Sequence, residues 1–313
     1  MTWIFIALGG YFFNALAALF DKLLLSDNRI GSPALYAFFT SLVSLFAIVL
    51  LPFGFVFMLP DAVFLGVISG ILFLLGLIAF YAAVKRSEIS RVAPLVGVSV
   101  IGFLFVATIV RGVAAGYEYD AVSIIALLLL AAGSFFLAKP GKGAHDPKLV
   151  RFVLLSGALM AASLVVLKES YLLSNFATGF FWSRMGMFLT GMSLLAFPAL
   201  RGQIFSGSDR HAKPTKRNAA TATLFFMNKA FGGLGAFLIS YAVSLGPVTF
   251  VQGLNGTQFA LVFLLAVPLS IRYPEIFREE TDRNTIIQKT AAIILIALGI
   301  ALIATNGQLS GFL

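Results

Sequence analysis

Ten runs of mostly apolar residues, separated by polar connections, dominate this chain. They lie at about 2–25, 33–57, 61–84, 92–114, 120–138, 150–173, 176–199, 219–244, 247–271 and 286–306. Each is close to the roughly 20 residues that a helix needs to cross a bilayer. The connections are short apart from polar stretches at Lys139–Arg151, Arg201–Asn218 and Arg272–Thr285. With 60% hydrophobic and 11% charged residues among 313, the chain carries more apolar surface than a water-soluble core requires. It also has too little charge for a wetted exterior. The expected fold class is all-α integral membrane, with ten transmembrane helices.

One corner occurs twice. Ser87–Gly97 reads SEISRVAPLVG and Gly246–Gly256 reads GPVTFVQGLNG. Each follows an apolar run ending near a Tyr-Ala pair, Tyr81-Ala82 or Tyr241-Ala242, and each opens another. Superposing Ser87 on Gly246 also sets Ser90 on Thr249, Val92 on Val251 and Gly97 on Gly256. A five-helix unit used twice follows, with residues 1–140 and 150–313 as the two copies and 141–149 as a cytoplasmic linker.

The basic residues orient the chain. Of 22 Lys and Arg, seventeen fall in or within a few residues of the connections after runs 1, 3, 5, 7 and 9, against Arg111 on the opposite side. The positive-inside rule makes the odd connections cytoplasmic and leaves both termini outside. Five is odd, so the second copy must insert upside down. The basic corner KRSEISR is then inside and its uncharged counterpart SLGPVTF outside. Inverted repeats are a recurrent transporter design with a site near the bilayer midplane. The N-terminal run lacks a basic n-region and a small-residue cleavage site, so it reads as a retained helix.

These features resemble the EamA-type branch of the drug/metabolite transporter superfamily. The resemblance rests on the layout of two five-helix halves, on FYAAVKRSEISRVAPLVG closing run 3 and on SYAVSLGPVTFVQGLNGTQF in the second half. It implies a basket-like bundle with a central cavity lined mainly by spans 1, 3, 4, 6, 8 and 9. It also implies transport of metabolites or, in some relatives, flipping of lipid-linked sugars. A span-7 polar-aromatic motif and a span-9 Gly-Ala-Leu-Asn-Lys motif contact substrate in the nucleotide-sugar branch. Their nearest matches here are Phe181-Trp182-Ser183-Arg184 and Gly253-Leu254-Asn255-Gly256-Thr257, with Gly in place of the Lys. The Gly-Glu pair common after span 4 is replaced by Arg111-Gly112.

Charged and amide side chains within a bilayer are costly, which makes each a functional candidate. Lys229, beside Asn228, falls about ten residues into run 8, near the midplane at 1.5 Å per residue. It is a candidate substrate contact or one half of an internal pair with Glu169. Arg184 in run 7 is a substrate contact or a partner of Glu169. Asn255 and Gln258, with Gln252 a turn earlier, place three amides on one helix face. Asn14, Tyr81 and Tyr241 add further polar groups, and Trp182 is a stacking or interfacial aromatic. Asp21, near the cytoplasmic end of run 1, and Lys168-Glu169, at the approximate repeat-equivalent position, are candidates for coupling or gating. Gly66 and Gly70, like the glycines of run 8, read as close-packing residues.

No HExxH, Walker loop, GxSxG or nucleophile–base arrangement occurs, so no enzymatic activity is expected. Cys is absent and His145 and His211 fall in polar connections, so neither a metal nor another cofactor is expected. The net charge of +9 belongs to the cytoplasmic connections rather than to a nucleic-acid surface. The leading expectation is a secondary transporter of a small anionic or zwitterionic metabolite in the cytoplasmic (inner) membrane, an exporter by resemblance. Its substrate would be bound by Asn14, Tyr81, Arg184, Lys229, Asn255 and Gln258. The lipid bilayer is the other partner, and a homodimer is compatible with this reading. The alternatives are a flippase for a lipid-linked sugar and a non-transporting scaffold or sensor. Because the chain has no Cys, single cysteines report topology directly. An impermeant maleimide on intact cells should label Ser174→Cys, and should reach Lys142→Cys after permeabilisation; the opposite pattern would invert the orientation.

Overall fold

A computed structural model describes residues 2–25, 33–52, 54–55, 60–87, 89–115, 121–137, 146–198, 200–202, 218–272 and 283–305. Among these residues every regular element is helical. In chain order they are α1 (Thr2–Leu25), α2 (Pro33–Val43) continued as a 3-10 helix over Ser44–Leu50, α3 (Pro60–Val84), α4 (Ile89–Ala115), α5 (Ala121–Leu137) and α6 (Pro147–Leu173). There follow α7 (Phe176–Ser193), which ends in a 3-10 turn, α8 (Asn218–Leu245), α9 (Val248–Gly253), α10 (Asn255–Arg272) and α11 (Arg283–Thr305).

Polarity runs inside out relative to a soluble protein. Phe5, Phe46 and Phe226 are 76%, 73% and 72% exposed, while Ser69, Ser156, Ser170 and Thr178 are wholly buried. Among the described residues six helical segments are long and apolar enough to cross a membrane: 2–20, 60–84, 92–110, 147–173, 248–266 and 287–305. The fold is that of a multi-pass all-α membrane protein. Helical backbone occurs in each of the ten apolar runs, but run 2 becomes a 3-10 helix at Ser44 and run 5 is a 17-residue helix.

Two prolines lie inside helices. The α4 helix begins at Ile89, so Pro94 sits inside it rather than at its start. Pro268 does not end α10, which continues for one more turn to Arg272. Two helix starts satisfy free amides with a side-chain cap. Asp146 accepts from the Lys148 amide at 2.9 Å, with Pro147 next to it, and Asn175 accepts from the Thr178 amide at 2.9 Å. The Lys148 amide and then the Arg86 guanidinium, 3.5 Å away, hold the exposed Asp146 carboxyl below the usual carboxylate range.

The chain divides into two compact units that do not coincide with its sequence halves. One comprises Met1–Ile30, Phe105–Pro140 and Pro214–Leu313; the other comprises Gly31–Leu104 and Gly141–Lys213. Each unit draws helices from both halves, and α4 contributes residues to both. The α3 and α6 helices pack closely in the second unit, as do α1 and α8 in the first. In the repeat alignment these pairs correspond, since run 3 matches run 8 and run 6 matches run 1.

The α3–α6 seam shows why close approach is the rule here. Apolar side chains gain little from each other in lipid, so helices associate through backbone proximity and hydrogen bonds. Ser156, Ser163 and Ser170 recur every seven residues on α6. They donate to the carbonyls of Gly76, Ser69 and Ala62 on α3 at 2.9, 2.8 and 2.8 Å. The acceptors also recur every seven residues in the opposite direction, so one antiparallel register satisfies all three. Bonds of this kind contribute about 0.6 kcal/mol each in membrane proteins. The Ser69 hydroxyl lies within hydrogen-bond distance of both Ser163 and Ser183, which ties α7 to the same seam.

Glycines make the α3–α7 approach possible. A Cβ at Gly70 would collide with the Ser183 carbonyl, and one at Gly186 would collide with that of Val67. Both obstacles are backbone, so neither can rotate away. Gly70→Ala and Gly186→Ala should each destabilise the purified protein by about 1–3 kcal/mol through overpacking. Gly102→Ala, where a Cβ meets nothing within 4 Å, should be neutral or stabilising in the same thermal-unfolding assay. Equal effects at the three positions would show that the seam is not sterically limited.

Candidate functional site

A local irregularity divides run 9. The expected single helix is divided into α9 and α10 at Leu254, whose ψ of −8° departs from a regular helix. Its immediate sequence, Gly253-Leu254-Asn255-Gly256, has glycine on both sides because neighbouring helices approach there. A Cβ at Gly253 would stand 2.9 Å from Leu130, and one at Gly256 would stand 2.5 Å from the Ser134 hydroxyl. Both neighbours belong to α5.

A side chain from α1 compensates at this interruption. The Tyr11 hydroxyl donates to the Val251 carbonyl at 2.9 Å, and Tyr11 is 2% exposed. In an unbroken helix that carbonyl would accept the Asn255 amide four residues on. The hydroxyls of Thr108 in α4 and Thr249 in α9 meet at 2.6 Å, securing the segment before the interruption. The corner leading into α9 is held by Trp3, whose ring would be 2.6 Å from a Cβ at Gly246.

The amides expected to form one row straddle the interruption. Gln252 is in α9, whereas Asn255 and Gln258 are in α10; all three are partly exposed. Asn14 lies on α1 with its side-chain oxygen against Gly235 of α8, where any Cβ would collide with it. Lys229 is partly exposed on α8, beside Asn228, which is 3% exposed; both are engaged in interactions. Phe231 stacks with Phe13 and Phe20 at 6.0 and 5.7 Å between ring centroids, fixing α8 against α1. Asn14, Lys229, Asn255 and Gln258 therefore share the first unit. Asp21 and Lys22 fall in the last turns of α1, and their side chains lie outside the described residues.

The second unit contains the remaining candidates. Tyr81 meets Phe80 edge-on at 5.4 Å and is also otherwise engaged. Lys168 is 9% exposed on α6 beside the partly exposed Glu169, and each has a partner. Trp182 packs its Cβ against Gly66 of α3 and its ring edge-on to Phe181. Trp182 therefore acts as a helix spacer here.

Arg184 is set differently. Among the described residues no carboxylate lies in ion-pair range of it, so the alternative pairing with Glu169 is not formed. The guanidinium stands over the Phe180 ring at 4.5 Å and within 5.9 Å of the Phe73 ring. One terminal nitrogen faces the Met187 sulfur at 3.7 Å, while the Arg184 carbonyl accepts from Ser44 at 3.0 Å. These aromatic and sulfur neighbours were not evident from sequence, because Phe73 lies on α3. The helical spacing of Phe180, Arg184 and Met187 was the available signal. Tyr11 was likewise missed among many aromatics; its distinguishing property is a carbonyl 240 positions away. Among the described residues no three metal-ligating side chains come together.

Neither a family model nor a curated protein matches the chain. The chain is similar to a protein of known crystal structure, with a TM-score of 0.65 and 14% identity over 97% of this chain and 96% of that chain. A likeness at that identity concerns the fold alone. The Tyr11 contact has a direct test. Tyr11→Phe should lower stability by about 1 kcal/mol, the usual net value of a hydrogen bond, in thermal unfolding of the detergent-purified chain. An unchanged midpoint would mean that the hydroxyl does not support α9.

Proposed function

We propose that this chain is a secondary transporter of the EamA type in the drug/metabolite transporter superfamily. It moves a small anionic or zwitterionic metabolite across the cytoplasmic membrane by alternating access. Its ten spans form two inverted five-helix repeats, and both termini are outside.

The observation that carries this reading is the interruption between α9 and α10. In a membrane helix, a break exposes backbone groups that lipid cannot satisfy, so it is tolerated where protein or a wet cavity meets it. Transporters use such discontinuous helices to bind substrate. Here Asn255 begins α10 directly after the break, with Gln258 one turn later. On α1 and α8 of the same unit, Asn14 and Lys229 provide an amide and a cation. We assign Tyr81 and Arg184 to substrate contact as well, and Asp21, Lys168 and Glu169 to coupling or gating. The basic excess within the helices favours substrates bearing negative charge.

Lys229→Ala distinguishes this role from a structural one. In proteoliposomes the variant should elute and unfold like the parent chain, yet lose at least about tenfold in transport, equivalent to about 1.4 kcal/mol. Parental transport by the folded variant would remove Lys229 from the site. A chain that moves no solute in counterflow, across amino acids, sugar phosphates, nucleotide sugars and quaternary amines, would contradict the transport reading itself.

A further inference from the structure

The surroundings of Arg184 restrict what it can bind. A guanidinium carries five N–H donors in a planar fork, and leaving them unmet in a low-dielectric setting is costly. Cation–π contacts with Phe180 at 4.5 Å and Phe73 at 5.9 Å stabilise the charge without using those donors. The Met187 sulfur, at 3.7 Å, is only a weak acceptor. The cation is thus held in place, partly exposed, and among the described residues its fork meets no acceptor stronger than the Met187 sulfur.

Two features define the complementary ligand. The side chains described around the guanidinium are uncharged, so a monoanion neutralises the group whereas a dianion leaves excess charge in the same setting. A carboxylate also matches the guanidinium fork with two parallel hydrogen bonds. Apart from the Tyr171 phenol, which acts electrostatically on Arg184, the walls provided by Phe73, Phe180 and Met187 offer little to a hydroxyl-rich body, whose polar groups would lose water without replacement. Apolar surface loses nothing there.

We propose that Arg184 binds the carboxylate of a monoanionic ligand with an apolar body, in preference to phosphate esters. This rests on the transport reading only in treating that ligand as a substrate; the binding is independent of it.

The test uses the full chain in detergent, titrated with 3-phenylpropionate, 3-phenylpropionamide and phenyl phosphate while thermal unfolding is followed. Phenylpropionate should stabilise the chain, the amide should not, and phenyl phosphate should bind at least about tenfold more weakly, a difference of about 1.4 kcal/mol. Arg184→Gln should abolish the carboxylate effect. Arg184→Lys retains charge but loses the fork, and should weaken binding at least about tenfold. Phe180→Leu provides a second route that leaves the guanidinium intact, and should also weaken binding. Equal or tighter binding of the phosphate, undiminished carboxylate binding in the Arg184 variants, or no carboxylate binding would overturn the proposal. Proteoliposomes separate the two readings. Transport of other solutes without Arg184-dependent carboxylate binding defeats this inference alone. Arg184-dependent binding without movement of any solute defeats the transport reading alone.

Discussion

Every backbone polar group at membrane depth must find a partner within the protein, and this requirement organises the structure. A regular helix meets it locally, but the association of helices must come from close approach and interhelical bonds. The α3–α6 seam meets both needs in one register. Three serines at seven-residue intervals reach three carbonyls with the same spacing, while glycines at the neighbouring α3–α7 contact remove the side chains that would hold backbones apart. The first unit uses the same means, with Gly10 and Gly235 between α1 and α8 and Gly133 and Gly299 between α5 and α11. Large apolar side chains turn outward, where lipid replaces water.

Against that background, the α9–α10 interruption is where the requirement is met from elsewhere in the fold. Tyr11 reaches the Val251 carbonyl, and Thr108 joins Thr249 just before the break. The repeated corner gives this a context. In the alignment of the two copies, Pro94 occupies the place of Gly253. One copy has a residue without an amide donor inside a continuous α4; the other has glycine at a helix end. Both copies depart from ordinary helix chemistry at the same point. A polar ligand can use backbone groups only where a helix departs from its regular pattern.

Much of the architecture was legible because bilayer crossing imposes a length and a polarity on each segment. The apolar runs anticipated where helical backbone would occur, and the polar connections marked their separation. The interruption at Leu254 was not legible, since GLNG can continue or end a helix depending on what approaches its glycines. The serine ladder had a visible spacing on α6, but its acceptors are carbonyls and leave no trace in residue identity. The grouping of helices into two units was also hidden, because it depends on pairings between halves rather than on the segments themselves. For the candidate site, residue type was informative and environment was not. Arg184 and Lys229 were conspicuous as cations in apolar runs, yet only the fold distinguishes an arginine among Phe73, Phe180 and Met187 from a lysine beside a buried asparagine.

The central claim is alternating access to the polar residues at the α9–α10 break, and the naturally cysteine-free chain allows it to be measured at one position. Asn255→Cys in sided proteoliposomes should react with an impermeant maleimide applied to either face. A bound substrate should shift the two rates in opposite directions, because a ligand that prefers one state draws population from the other. Reaction from one face only, at a rate indifferent to every ligand that binds, would contradict alternating access and leave a static membrane protein.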